Sequence, residues 1–431
     1  MTDKIKIVTL GDHPLAPSGV GTQTKYIIEA LLATGKYEFV SLGGAAKHKS
    51  TQPIRTEEWG DDWTIIPIEG YGTPDMIRST LRTERPDMIW FMTDPRFYDW
   101  LWSIENEVRA ICPMVYYHVW DNYPYPKFNK IWYDSCDAIA TISKVTDDIV
   151  RTVSPDVRCE YIPHCIDTQI FCPVSEQDSD EEVEVSYDVW KDAFQAESGL
   201  NDEERFVIFW NNRNARRKQS GTLVYIFNEL LQRVGREKAT LIMHTDPHDP
   251  HGQDLPHIAQ ELGLSTTEFR ISTAKLHPKM LSYFYNYADV TVNIADAEGF
   301  GLGTLESLAC GTPIIVNMTG GLQQQVTDGE NWFGIGIQPS SKCIVGSQAI
   351  PYIYEDRINT DEVVDALETM YRMSAEERNE MGQLARQFVL KNHDLKFYTK
   401  WWDEFLSSVI EEHGSWNTRK NYQSWELKEV A

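Results

Sequence analysis

Short runs of consecutive apolar residues alternate with amphipathic segments along most of the chain, and this alternation constrains the fold more than any other feature. Met88–Met92 reads Met-Ile-Trp-Phe-Met and Phe206–Trp210 reads Phe-Val-Ile-Phe-Trp, with no polar position left to face water. A strand apolar on successive positions is covered on both faces, the condition of a parallel sheet between helical layers. The same reading predicts strands at Lys4–Leu10, Glu38–Leu42, Thr64–Ile66, Met114–Val119 and Ala138–Ile142, then at Thr240–His244, Phe269–Ser272, Val290–Ile294 and Pro313–Val316. Helices fill the intervals: Thr22–Ala33 carries Tyr26, Ile27, Ala30 and Leu31 on one face, and Leu223–Val234 and Pro278–Tyr287 are predicted as helices too. Strand–helix–strand alternation implies an α/β chain with doubly wound parallel sheets.

A chain of 431 residues exceeds one ordinary core, so two such domains are expected. The Pro-punctuated exit Phe171-Cys172-Pro173 sets the boundaries at 1–173, an acidic linker or insertion at 174–204 around Glu176–Glu184, a second domain at 205–395, and a closing segment at 396–431. In that last segment Phe397, Tyr398, Trp401, Trp402, Phe405, Leu406, Val409 and Ile410 form a wide apolar stripe, and a stripe implies burial. The helix is expected to pack back across both domains, with a loose polar tail from Gly414.

Charge and cysteine usage exclude several classes. Lys and Arg total 40 against 65 Asp and Glu, and the resulting −25 repels phosphate backbones and anionic membranes. Seven cysteines, odd in number and never spaced CxxC, argue against a disulfide framework or a thiolate zinc site and for a reducing cytosol. No apolar run reaches the ~20 residues of a membrane span, and Met1-Thr2-Asp3-Lys4 opens without secretion-signal features. The expected location is cytoplasmic.

Most of the chemistry gathers in Glu298-Gly299-Phe300-Gly301-Leu302-Gly303-Thr304-Leu305-Glu306. This segment follows the strand Val290–Ile294 and opens a helix that Gly311 and Pro313 terminate. Glycines at 299, 301 and 303 strip side chains from the loop, so a ligand can reach backbone N–H groups near the helix N-terminus. Glu298 and Glu306 flank that anion-friendly position, and carboxylates accept hydrogen bonds from sugar and ribose hydroxyls. Taken alone, Glu306 could equally be an acid that complements the helix dipole.

The E-x7-E spacing with an interior Gly-Phe-Gly resembles the retaining nucleotide-sugar glycosyltransferases of the large family that includes sucrose and glycogen synthase relatives. The resemblance runs over roughly residues 4–395, strongest at 206–331. It implies a GT-B fold, two Rossmann-like domains facing a cleft, with the acceptor side in the first and the nucleotide-sugar donor in the second. On this resemblance Gly299, Phe300, Gly301, Leu302 and Glu306 bind the donor, Glu306 at the ribose, and Glu298 fixes the sugar. Asn212-Arg213 and Lys218 match the cations that hold the donor diphosphate, with Arg216 and Arg217 leaving the register open. Pro17-Ser18-Gly19-Val20-Gly21-Thr22 resembles the glycine-rich loop, Gly19 and Gly21, that faces the phosphate; as a dinucleotide fingerprint it fails, since Thr24 stands at the third glycine. His118, in Tyr117-His118-Val119-Trp120-Asp121, matches the strand-end histidine near the transferred sugar. Thr319-Gly320-Gly321 matches a further landmark, but glutamines 323 to 325 replace the acid expected after it.

The resemblance further implies transfer to an acceptor hydroxyl, on a glycan, small molecule or lipid-linked sugar, with anomeric configuration retained, no cofactor and no bound metal. A histidine-rich segment, His244, His248, His251 and His257 with Asp246, Asp249 and Asp254, carries the competing zinc reading. Alternatives are a phosphorylase or epimerase on the same fold, or a viral-type enzyme glycosylating a modified DNA base.

Overall fold

A computed structural model describes residues 4–45, 52–177, 185–200 and 205–424, so the acidic positions 178–184 lie outside the described residues. The chain divides into two compact units, Met1–Cys165 with Leu395–Ala431, and Ile166–Asp394. The boundary thus falls ahead of Pro173, and the closing helix belongs to the first unit.

The first unit is one sheet whose strands are β1 (Ile5–Asp12), β2 (Tyr37–Gly44), β3 (Ile54–Arg55), β4 (Trp63–Pro67), β5 (Met88–Met92), β6 (Met114–His118), β7 (Ala138–Thr141) and β8 (Arg158–Tyr161). Their order is β3-β4-β2-β1-β5-β6-β7-β8, parallel except for β3. The chain winds one way from β1 and then the other, which puts a switch point between β1 and β5. All five residues of β5 are buried, as its uninterrupted apolar run requires. The first helix starts at Gly19 rather than Thr22, because Ser18 caps it by accepting from the Gly21 amide at 3.0 Å.

The closing helix, Lys396–His413, buries Tyr398, Trp402, Phe405, Leu406 and Val409. Trp402 is fully buried, edge-on to Trp90 (ring centroids 5.9 Å) and to Tyr117 (4.9 Å). Asp403 accepts from Lys36 and from the Tyr37 hydroxyl, both at 2.7 Å. The tail after Gly414 is not loose over its described part: Arg419 donates to Asp137 at 2.7 Å and to the Arg109 carbonyl at 2.6 Å, and the Tyr422 ring lies against Arg109 and Arg419.

The second unit holds β9 (Phe206–Asn211), β10 (Ala239–His244), β11 (Phe269–Ser272), β12 (Val290–Asn293), β13 (Ile314–Asn317) and β14 (Gly334–Ile337), all parallel, in the order β11-β10-β9-β12-β13-β14. This is the doubly wound order, with its switch point between β9 and β12. Helices Ser220–Val234 and Thr360–Arg372 bury Leu223, Phe227, Leu230, Val363 and Leu367 in a core with Ile208, Trp210, Leu241 and Val292. An antiparallel hairpin, β15 (Ser341–Ser347) and β16 (Ile350–Arg357), interrupts the α/β pattern and has no counterpart in the sequence expectations.

Candidate active site

The switch point of the second unit gathers two segments. After β9 the chain makes a turn through Arg216–Lys218, and after β12 it runs through Asp296–Glu298 into the helix Leu302–Ala309. Two hydrogen bonds join them: the Asp296 amide donates to the Arg217 carbonyl at 2.8 Å, and the Arg217 guanidinium donates to the Ala297 carbonyl. Gly301 enters that helix at φ 94°, a left-handed conformation that favours glycine. The Thr319–Gly321 loop presses on the same segment. The Gly321 amide donates to the Glu298 carbonyl at 2.9 Å, and a Cβ on Gly320 would stand 1.9 Å from that oxygen.

Lys218 and Glu298 form a buried ion pair, their side chains 8% and 12% exposed. Burial alone would raise the Glu298 carboxyl, but Lys218 first and then Arg217 overcome it and hold the group below its ordinary 4.5; Asn293 also donates to it at 3.4 Å. Asp296 lies beside the pair and accepts from Gln219 and Arg357, both at 2.6 Å. Burial pushes its carboxyl up to about 6 against those donors, and Asp296 Oδ1 has no hydrogen-bond partner among the described residues.

Glu306 stands on the helix that follows. Its Oε2 accepts from the Tyr285 hydroxyl at 2.7 Å, and that hydroxyl accepts from the Asn211 amide at 2.8 Å. Glu306 keeps partial solvent contact but is densely surrounded, and burial pushes its carboxyl up to about 7, opposed by the Tyr285 bond.

Sequence reasoning therefore placed Glu298, Gly299, Phe300, Gly301, Leu302, Glu306 and Lys218 on segments that the fold brings together. Arg213 is different. Its guanidinium is spent on Asp249, at 2.6 and 3.2 Å, and on His251 Nδ1 at 2.9 Å. That pairing also takes up part of the histidine-rich segment; among the described residues no group of three His, Cys, Asp or Glu is arranged to hold a metal ion. Arg216 is paired through both terminal nitrogens with Glu355, at 2.9 and 2.7 Å.

Tyr285, Asn211 and Gln325 were not anticipated. Tyr285 sits in an apolar helix and reads as core. Gln325, fully buried, donates to the Phe300 carbonyl at 2.7 Å and accepts from Thr304 at 2.6 Å, so one of the glutamines after the double glycine braces the loop.

In the first unit, Gly19 and Gly21 occupy the first turn of the helix after β1 rather than the loop before it. Ser18 also donates to Asp12 at 2.6 Å, and a Cβ on Gly21 would meet the His13 carbonyl at 2.7 Å. His118 ends β6 with no solvent exposure. Its Nε2 is hydrogen-bonded to the Tyr133 hydroxyl at 2.6 Å, its Nδ1 has no hydrogen-bond partner among the described residues, and burial lowers the ring to about 3, so it is neutral.

Two doubly wound units, the second with paired cations and carboxylates at its switch point, define the class: the fold of the GT-B glycosyltransferases. Residues 191–388 match the family model described as "Glycosyl transferases group 1". The solved sucrose-phosphate synthase from Thermosynechococcus elongatus is 16% identical, with a TM-score of 0.71 over 95% of this chain and 100% of that one. Anabaena HepE, solved in complex with UDP and glucose, is 14% identical, with a TM-score of 0.66 over 94% and 100%. Among curated proteins, the D-inositol 3-phosphate glycosyltransferase of Acidothermus cellulolyticus is 40% identical over 74 residues, 17% of this chain and 16% of that protein. The chain thus matches this relative over about a sixth of its length. No helix among the described residues is long and apolar enough to cross a membrane.

Proposed function

We propose that the chain transfers a glycosyl group from a nucleoside diphosphate sugar to an acceptor hydroxyl, with retention and without a divalent cation. The observation that carries this reading is the switch point of the second unit. A buried Lys218–Glu298 pair and the Glu306 carboxyl flank a glycine-entered helix N-terminus, where an anion is favoured. Lys218 supplies a compact charge to the leaving diphosphate, and Arg213 joins it once released from Asp249. Glu306 accepts the ribose hydroxyls, while Glu298 orients the sugar. Gly19, Gly21 and His118 contribute from the first unit, as the family resemblance implies.

Catalysis of this kind rests on positioning and on stabilising leaving-group charge. The test is product formation with UDP-, GDP- and ADP-sugars in the presence of EDTA. Transfer with retained anomeric configuration supports the reading. Hydrolysis or transfer that depends on added zinc or manganese, or dependence on inorganic phosphate, overturns it.

A further inference from the structure

We propose that Tyr285 is a positioning residue for nucleotide binding: its hydroxyl, held in turn by Asn211, sets the Glu306 carboxyl to receive the vicinal hydroxyls of a ribose. The inference rests on the preceding reading of Glu306.

Three elements converge here. Asn211 ends β9, Tyr285 lies in the helix Pro278–Tyr287, and Glu306 lies in the helix Leu302–Ala309. A phenol has one proton. Because the Asn211 amide donates to the Tyr285 oxygen at 2.8 Å, that proton is free to go to Glu306 Oε2 at 2.7 Å. This relay thereby fixes which carboxyl oxygen is engaged. The helix start is pressed close to achieve this: a Cβ on Gly303 would stand 2.9 Å from the Asn211 carbonyl and 3.3 Å from the Tyr285 hydroxyl.

When both hydroxyls of a diol donate, the matching partner is an ionised carboxylate, which only accepts. Burial works against that ionised form, and the Tyr285 hydrogen bond works for it. Among the described residues, the Cys310 thiol, which caps the end of the Glu306 helix, feels Glu306, and beside that thiol act Cys172 and Arg386. Burial pushes the Tyr285 phenol and both thiols up, so they stay neutral through the neutral range. The Arg386 guanidinium is held by the Thr168 and Phe171 carbonyls and by Glu176, each at 3.0 Å. Glu306 is therefore the group whose protonation governs this corner. As pH falls through about 7 it takes a proton and diol binding weakens. Without the Tyr285 hydroxyl that loss begins at higher pH.

The test uses the full chain, wild type and Tyr285→Phe, titrated calorimetrically with UDP, GDP and ADP between pH 6 and 9. With the nucleotide that the wild type binds, Tyr285→Phe is expected to raise Kd about tenfold at pH 7, the scale of one hydrogen bond to a charged group. The gap should narrow by pH 9. The matching 2′,3′-dideoxynucleoside diphosphate should bind both proteins equally, a readout that a merely structural role would not move. Asn211→Ala should shift the pH profile in the same direction and decides the matter if the Phe variant does not fold. Equal Kd values at every pH, or an equal loss for the dideoxynucleotide, overturn the inference and leave the proposed function standing. A wild type that binds none of the three nucleotides overturns both.

Discussion

Stability and chemistry should separate cleanly at the Lys218–Glu298 pair. Lys218→Met or Glu298→Gln each leaves one buried partner, a side chain 8% or 12% exposed, without its counter-charge. Breaking a buried pair from one side costs about 3–5 kcal/mol. Glu298 retains Asn293 at 3.4 Å and the charge of Arg217, which puts Lys218→Met at the low end, about 3 kcal/mol. The double variant removes both charges, and its cost should fall below the sum of the singles by about 2–3 kcal/mol, the coupling of groups in contact. Turnover should follow a different rule: Lys218→Met and the double variant should both lose on the order of 10²-fold or more, because the donor proposed to stabilise the diphosphate is absent in each. Coupling should also fade in acid. Glu298 titrates below its ordinary 4.5 in the folded chain, so its contribution is present above that value and is lost as pH falls through the depressed one. Two units need not unfold in one step, so the assay is urea-dependent hydrogen exchange within β9 and Leu302–Ala309, with donor turnover measured in parallel. Additive costs, with coupling under about 0.5 kcal/mol, would refute the pairing, and a double variant with restored turnover would refute the role of Lys218.

Three further outcomes are expected. Trp402→Ala should cost the first unit about 3–5 kcal/mol by urea denaturation, whereas Trp402→Phe should cost much less, since the buried indole N–H has no hydrogen-bond partner among the described residues to lose. Gly320→Ala should abolish turnover and lower the melting temperature, because φ is 50° and the new methyl would meet the Glu298 carbonyl. Arg419→Ala should destabilise the first unit by about 1–3 kcal/mol, seen as a lower urea midpoint, by removing a donor from Asp137, whose side chain is 1% exposed.

The parts legible in the sequence are those written in local pattern. Apolar runs such as Met88–Met92 name their strands, and the Gly-rich turn before Glu306 marks the switch point. What was not legible depends on partners distant along the chain. Arg213 reads as a phosphate cation until Asp249 is seen to hold it, and Tyr285 reads as core until Glu306 arrives beneath its hydroxyl. Glycines at 19 and 21 read as loop because helix propensity penalises them, yet the Ser18 cap starts the helix there. The tail reads as loose because its residues are polar; Arg419 finds a buried acid, and no periodicity announces that.

The first unit is assembled from two stretches of chain with the whole of the second between them. Synthesis proceeds from the N-terminus, so every residue of Ile166–Asp394 leaves the ribosome before the helix that carries Trp402. Until then the faces of Trp90 and Tyr117 that Trp402 covers are bare apolar surface, open to chaperones or to a neighbouring nascent chain. Slow elongation through the codons that follow Asp394 would therefore prolong the interval in which this molecule is most prone to aggregate, while the second unit, already complete, could fold on schedule.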